Sequence, residues 1–475
     1  MLFNSIEYLL FLPVVFLVYW KLCYSVKAKN VWIILSSYFF YAWWDWRFTG
    51  LLALTTLASY TSSIAIEHLN KLSRKSRARI VLAANIVLNV GILCVFKYYD
   101  FFAESFCDLV QSIGFERPTF PLLNVILPVG ISFYTFQAVS YCIDVYRGSF
   151  QAERDAAAFF AYLSFFPQLV AGPIERASSF LPQIRAERRF DYTAAVDGMR
   201  QILWGLFKKV VIADGCAEGV ENIFSDYAHM DGATLLMGAV LFSFQIYGDF
   251  SGYCDIAIGS ARLFGIQLSQ NFRTPYFASN ISDFWRRWHI TLMTWFRDYI
   301  YIPLGGSRHG RRRQVLATFA VFSLSGLWHG ANWTFILWGL YHGILVLCAS
   351  LLRKPSPKSE NLHNIIRRCV GTLFTFVLVM FGWILFRIAT LPDAANYLAG
   401  MFTRFAPTLP LYGKTMLPLI VAMLCIEWYT RNHPHPLAAI APKLSPALRV
   451  GLYWLVGGFI IWYSGSGTQF IYFQF

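Results

Sequence analysis

The chain has 475 residues, of which 57% are hydrophobic and 18% aromatic while only 14% are charged, against roughly 25% charged in soluble domains. A soluble protein of this length needs more polar surface than these residues can make, and the same composition excludes a disordered segment, a disulfide scaffold and a secreted enzyme. The formal net charge of +14 is gathered in short linkers between apolar stretches, which reads as membrane topology and not as nucleic-acid binding.

Crossing a hydrocarbon core of roughly 30 Å takes about 20 helical residues. The opening stretch carries Glu7 and has neither a basic n-region nor a small-x-small cleavage site, so it reads as a retained membrane helix and not a signal peptide. Candidate spans follow in order at 2–20, 31–44, 48–66, 80–96, 122–145, 156–170, 201–213, 233–247, 332–352, 366–388, 416–429 and 450–463. Several are too short or too polar to cross simply. The expectation is an all-α integral membrane protein of about eleven transmembrane helices, with partial or re-entrant helices among them.

Three basic clusters lie between these stretches: Lys71 to Arg79, Arg308 to Arg313, and Arg353 with Lys354, Lys358, Arg367 and Arg368. They mark cytoplasmic loops, and a basic mouth also attracts an anionic donor. The linker that begins at Arg353 is polar and proline-bearing, a surface loop and not a boundary. With no internal duplication, residues 1–475 read as one membrane domain. The nine cysteines contain no Cys-x-x-Cys, so no zinc site or disulfide framework is expected and no metal is assigned.

Two regions resist a simple span. Residues 248–265 hold glycines at 248, 252 and 259 with Asp249 and Asp255; the stretch either lines a cavity or is a glycine-softened loop. Residues 282–301 mix aromatic and charged side chains. Trp285, His289, Leu292 and Phe296 share one helical stripe flanked by arginines, which predicts an amphipathic helix at the interface or inside the bundle.

The apolar run 315–327 has 13 residues, about 20 Å of helix, between the arginines and a turn at 330–332. The chain then returns to another basic loop. Two basic loops on one side imply a hairpin whose short arm puts His329 at its tip inside the bilayer, where an ionisable residue is a functional candidate. A neutral histidine can take the proton of a hydroxyl that attacks a thioester. Trp333, Asn332 or backbone amides near Gly330 are candidate oxyanion donors. From position alone, a satisfied core histidine explains His329 equally well. His289, on its aromatic stripe, reads from position alone as structural, and His342 and His309 read as structural or interfacial. There is no Walker A loop, no Gly-x-Ser-x-Gly elbow and no His-Glu-x-x-His.

Long strings in order carry a resemblance: residues 1–20, LPVGISFYTFQAVSYCIDVYRG (127–148), FFPQLVAGPIERASSFLPQ (165–183), the stretch 245–308 with FWRRWHI, SGLWHGANWTFILWGLYHG (325–343) and FIYFQF (470–475). The chain resembles the membrane-bound O-acyltransferases, in particular their bacterial alginate O-acetyltransferase branch. The resemblance implies a helical bundle around a central funnel, with His329 as catalytic base and His289, forty residues earlier, as the second active-site histidine. It also implies an acetyl thioester donor, acetyl-coenzyme A or an acyl carrier, as co-substrate and not as a resident cofactor. Arg286, Arg287 and Trp288, with Trp333 and Asn332, are assigned to binding that donor. Asp249 to Asp255, Gln168 and Gly172–Pro173 match family segments that line the tunnel or shape it.

The implied function is transfer of an acetyl group across the bacterial inner membrane to an exported polysaccharide such as alginate or cellulose. Its implied partners are a periplasmic SGNH-type protein and a synthase and export complex. A transporter or flippase with an intramembrane His/Asp proton relay is the rival reading, and a purely structural subunit the third.

Overall fold

The computed structural model describes the chain except residues 352–361, 407–409, 411, 466–469 and 472–475. Most of the third basic cluster and the end of FIYFQF therefore lie outside the described residues. The described elements are helices, and six are long and apolar enough to cross a membrane: Trp46–Lys71, Lys75–Lys97, Gly232–Leu263, Trp333–Leu351, His363–Arg387 and Pro446–Tyr463. Large apolar side chains such as Leu10, Val87, Ile461 and Trp462 are exposed. In water such a surface would aggregate, whereas lipid requires it.

The chain divides into two compact units, one formed by 1–198 with 260–269 and the other by 199–259 with 270–475. In the first, Ser5 caps the Ile6–Lys21 helix and Ser25 the Val26–Ala42 helix. Tyr8 Oη lies 2.7 Å from Ser260 Oγ, and Tyr19 Oη donates to the carbonyl of Phe264. The helices Thr49–Lys71, Lys75–Lys97 and Ile131–Arg147 pack together. Their seam is polar: Asn85 Nδ2 donates to Ser59 Oγ at 3.3 Å, and Cys142 Sγ donates to the carbonyl of Ser59. Small and amide side chains of this kind join helices in lipid, where apolar surface gives no net attraction.

Two expected spans change here. The stretch 122–145 is helical only from Ile131, after Pro128 and a left-handed Gly130 whose added Cβ would meet the carbonyl of Leu169 at 2.4 Å. The stretch 156–170 breaks after Ser164. Pro167 sits in the first turn of a second short helix, and Ser37 Oγ accepts from the freed amide of Phe166.

The stretch 248–263 is not a glycine-softened loop but part of the 32-residue helix Gly232–Leu263, which lies in the second unit up to Gly259. Its glycines serve close packing. A Cβ on Gly252 would meet the carbonyl of Gly205 at 2.7 Å, and one on Gly248 the carbonyl of Lys208 at 2.8 Å. Facing them, the Tyr192–Leu206 helix widens into a π-helical turn, Phe207–Ala213, a distortion frequent at functional sites. The expected hairpin is present, with arms Arg311–His329 and Trp333–Leu351. Its first arm begins at the exposed arginines, so it is longer than the apolar run alone. The arms cross closely, because Gly326 and Gly339 would each drive a Cβ to within 2.1 Å of a carbonyl on the other arm.

Candidate active site

Residues 282–301 do not form the single amphipathic helix that the stripe predicts. Asn280 caps a one-turn helix, Ile281–Phe284. The chain then turns, and His289 adopts a left-handed conformation, φ 44° and ψ 53°, before a second helix, Ile290–Phe296, and a π-helical turn, Arg297–Tyr301. A left-handed non-glycine residue is strained and persists only where its surroundings hold it. The stripe residues Trp285, His289, Leu292 and Phe296 are nevertheless all buried.

His289 and His329 meet at one indole. The His289 ring packs edge to face on Trp328, 5.7 Å between centroids, and on Phe250 at 4.7 Å. The His329 ring packs on Trp328 at 4.9 Å and on Trp338 and Phe386 at 5.1 Å each. Both histidines are buried, 1% and 5% exposed. His342, read from sequence as structural, joins the same cluster with Trp285 and Trp338 each 5.0 Å away. Among the described residues neither of its ring nitrogens has a hydrogen-bond partner, nor do the indole N–H groups of Trp285 and Trp338 or the hydroxyl of Ser325. Such a buried aromatic chamber strengthens any electrostatic interaction within it.

The other expected residues scatter around this chamber. Arg286 is exposed and donates to the carbonyl of Ser282, while Arg287 pairs with Asp283 at 3.0 Å. Trp288 is 1% exposed and wedged among Phe272, Phe284 and Trp383. Asn332 ties down the hairpin tip: its Nδ2 donates to the carbonyl of Ala389 at 2.8 Å, and its Oδ1 accepts from Thr334 N at 2.9 Å. Trp333 is 52% exposed at that tip. Gln168, in the first unit, donates to the carbonyl of Tyr162, and Gly172 packs against Gln168 itself.

A cavity of about 340 Å³ opens in the second unit, and, as one of the two readings of 248–265 expects, Ser251, Cys254, Asp255 and Ile258 line it. Lys208, Asp255 and Glu427 line it, Asn271 and Phe272 are among its walls, and Arg273, Arg431 and His433 contribute exposed side chains. Phe272 packs on Phe250 at 5.0 Å, so two aromatic rings link this cavity to His289.

Buried charges brace one wall. Lys208 Nζ lies 2.6 Å from Asp255, which also accepts from Gln201 at 2.7 Å. Lys209 Nζ lies 2.7 Å from Asp214 and 2.8 Å from Asp249. The two carboxylates of the Asp-Phe-Ser-Gly-Tyr-Cys-Asp segment thus each hold one of two successive lysines. Asp249 also accepts from the amide of Ile471 at 2.6 Å, and the Phe470 ring lies 4.7 Å from Tyr253. Glu427 accepts from Tyr247 Oη at 2.9 Å. The signal for this cavity was present in the sequence, since Lys208, Lys209 and Glu427 are ionisable residues inside candidate spans.

Residues 152–391, which contain both histidines and their chamber, match the profile of the membrane-bound O-acyltransferase family. The chain belongs to that family. Over the full length of both proteins it is 34% identical to a probable alginate O-acetylase, AlgI, of Pseudomonas putida. It is 33% identical to a peptidoglycan O-acetyltransferase of Helicobacter pylori, across all of this chain and 98% of that one. A teichoic acid D-alanyltransferase of Bacillus subtilis is 29% identical over 58% of this chain and 72% of its own. These likenesses place the chain in the alginate O-acetyltransferase-like branch of the membrane-bound O-acyltransferases. It is an O-acyltransferase of the membrane, and the transporter reading falls away.

Proposed function

We propose that this O-acyltransferase takes an acetyl group from a cytoplasmic thioester, acetyl-coenzyme A, and passes it through the inner membrane for O-acetylation of an exported polysaccharide, alginate or a related glycan. The observation that carries this reading is the pair of buried histidines on Trp328, in a chain similar end to end to relatives named for O-acetylation of alginate and of peptidoglycan. In the proposed reaction neutral His329 takes the proton of an incoming hydroxyl. The freed oxygen attacks the thioester carbonyl, the C–S bond breaks, and the departing thiolate recovers the proton from the imidazolium. N–H groups at the hairpin tip, Trp333 among them, stabilise the developing oxyanion.

The donor reaches the chamber through the cavity beside Phe272. Arg273 and Arg431 there, with Arg286 and Arg287 nearer His289, attract its phosphates, and His289 and Trp288 shape the path of the acetyl arm. The acceptor is a serine on a periplasmic SGNH-type partner, working beside the synthase and export complex. The test follows label from acetyl-coenzyme A in membranes with and without that partner. Label on the partner and then on glycan supports the relay. Label that reaches glycan without the partner would replace it with direct transfer. No transfer from acetyl-coenzyme A, with transfer from an acyl carrier, would change the donor.

A further inference from the structure

The helix Ile290–Phe296 begins directly after a left-handed residue, and the His289 side chain makes no capping bond to it. The first N–H groups of any helix lack intrahelical partners and must be satisfied from elsewhere. Here Asn271, fully buried and far back in the chain, supplies them. Its carbonyl accepts from Ile290 N at 3.0 Å, and its Oδ1 accepts from Thr291 N at 3.1 Å and Thr291 Oγ1 at 2.7 Å. Two residues on, Arg273 N donates to the carbonyl of Arg287 at 3.0 Å, so 271–273 grips the chain on both sides of His289. Cys254 Sγ lies 3.5 Å from Asn271 Nδ2, which orients the carboxamide with its oxygen toward Thr291.

We infer that Asn271 is a positioning residue for His289: it caps the following helix in place of the histidine and so holds the strained backbone that turns the imidazole toward Phe250 and Trp328. The inference rests on the proposed role of His289 in acetyl transfer.

The test measures turnover of labelled acetyl-coenzyme A by full-length protein in membranes, at matched folded levels. Asn271→Leu removes the side-chain acceptor and is expected to lower kcat on the order of 10²-fold with little change in KM. Asn271→Asp keeps an acceptor oxygen at the same place and is expected to restore most of the loss. In a His289→Ala background, Asn271→Leu should cost nothing further. Thr291→Val, which deletes one of the three bonds, should move kcat in the same direction by less, and it carries the test if Asn271→Leu fails to accumulate. A loss that repeats in full in the His289→Ala background would overturn the inference alone, as would an Asn271→Asp variant as damaged as Asn271→Leu. Wild-type turnover by His289→Ala would overturn the inference together with the role of His289.

Discussion

His289 and His329, forty residues apart in the chain, place their imidazoles against the same indole, that of Trp328, at 5.7 and 4.9 Å. Trp328 directly precedes His329 at the end of the hairpin's first arm, whereas His289 reaches it from a break between two short helices. The two imidazoles thus share one aromatic neighbour, each reached from a different backbone segment.

The crossing of the hairpin arms sets where His329 stands. Gly326 would bring a Cβ to 2.1 Å from the carbonyl of Phe335, a backbone atom that cannot swing aside. Gly326→Val is expected to destabilise the fold by about 1–3 kcal/mol and to lower transfer beyond what reduced abundance explains. Thermal unfolding in detergent together with turnover per folded molecule checks this. An unchanged melting temperature would mean that the arms have room to part.

The pair of buried Lys208 and half-buried Asp255 braces the cavity wall. Asp255→Asn removes the carboxylate 2.6 Å from the lysine and leaves Glu427 as the remaining carboxylate that acts on it, and it is expected to cost about 1–3 kcal/mol. Replacing both partners, with Lys208→Met and Asp255→Leu, removes the stranded charge and should recover much of that stability. Melting curves of the single and double variants decide this; equal losses in both would show that the charges themselves, and not their pairing, hold the wall.

Much of this site was legible in the sequence because it lies on contiguous segments. The hairpin, with His329 at its turn, follows from one apolar run between basic loops, and the burial of Trp285, His289, Leu292 and Phe296 follows from their spacing. The break at His289 was not legible, because its cap comes from Asn271, eighteen residues before. The helical state of 248–263 was hidden for a similar reason: its glycines look like flexibility until Gly205 and the π-helical turn are seen against them. The glycine-bearing stretch from 248 and the ionisable residues inside spans pointed to a cavity, but that residues near 204, 250, 272 and 430 meet in it is not a local property of the sequence.

Glu175 gives the first unit a pH dependence. Burial pushes its carboxyl up to about 7, against the opposing effect of hydrogen bonds from Ser269 N and Oγ. A carboxyl whose folded pKa lies above its unfolded value holds its proton longer in the folded state, so stability falls as pH rises from the ordinary carboxylate range through about 7. Glu175→Gln should flatten that slope in unfolding measured from pH 4 to 8 (about the range that brackets both values). A slope that persists in the variant would assign it to other groups.

The most direct measurement compares wild type and His329→Ala at matched membrane levels, following label from acetyl-coenzyme A into material outside the cytoplasm with the proposed partner protein present. Loss of the proposed base should lower transfer by about 10²–10⁴-fold while the variant stays folded. A folded His329→Ala protein that transfers as fast as wild type would contradict the account and leave His329 a core histidine of the hairpin.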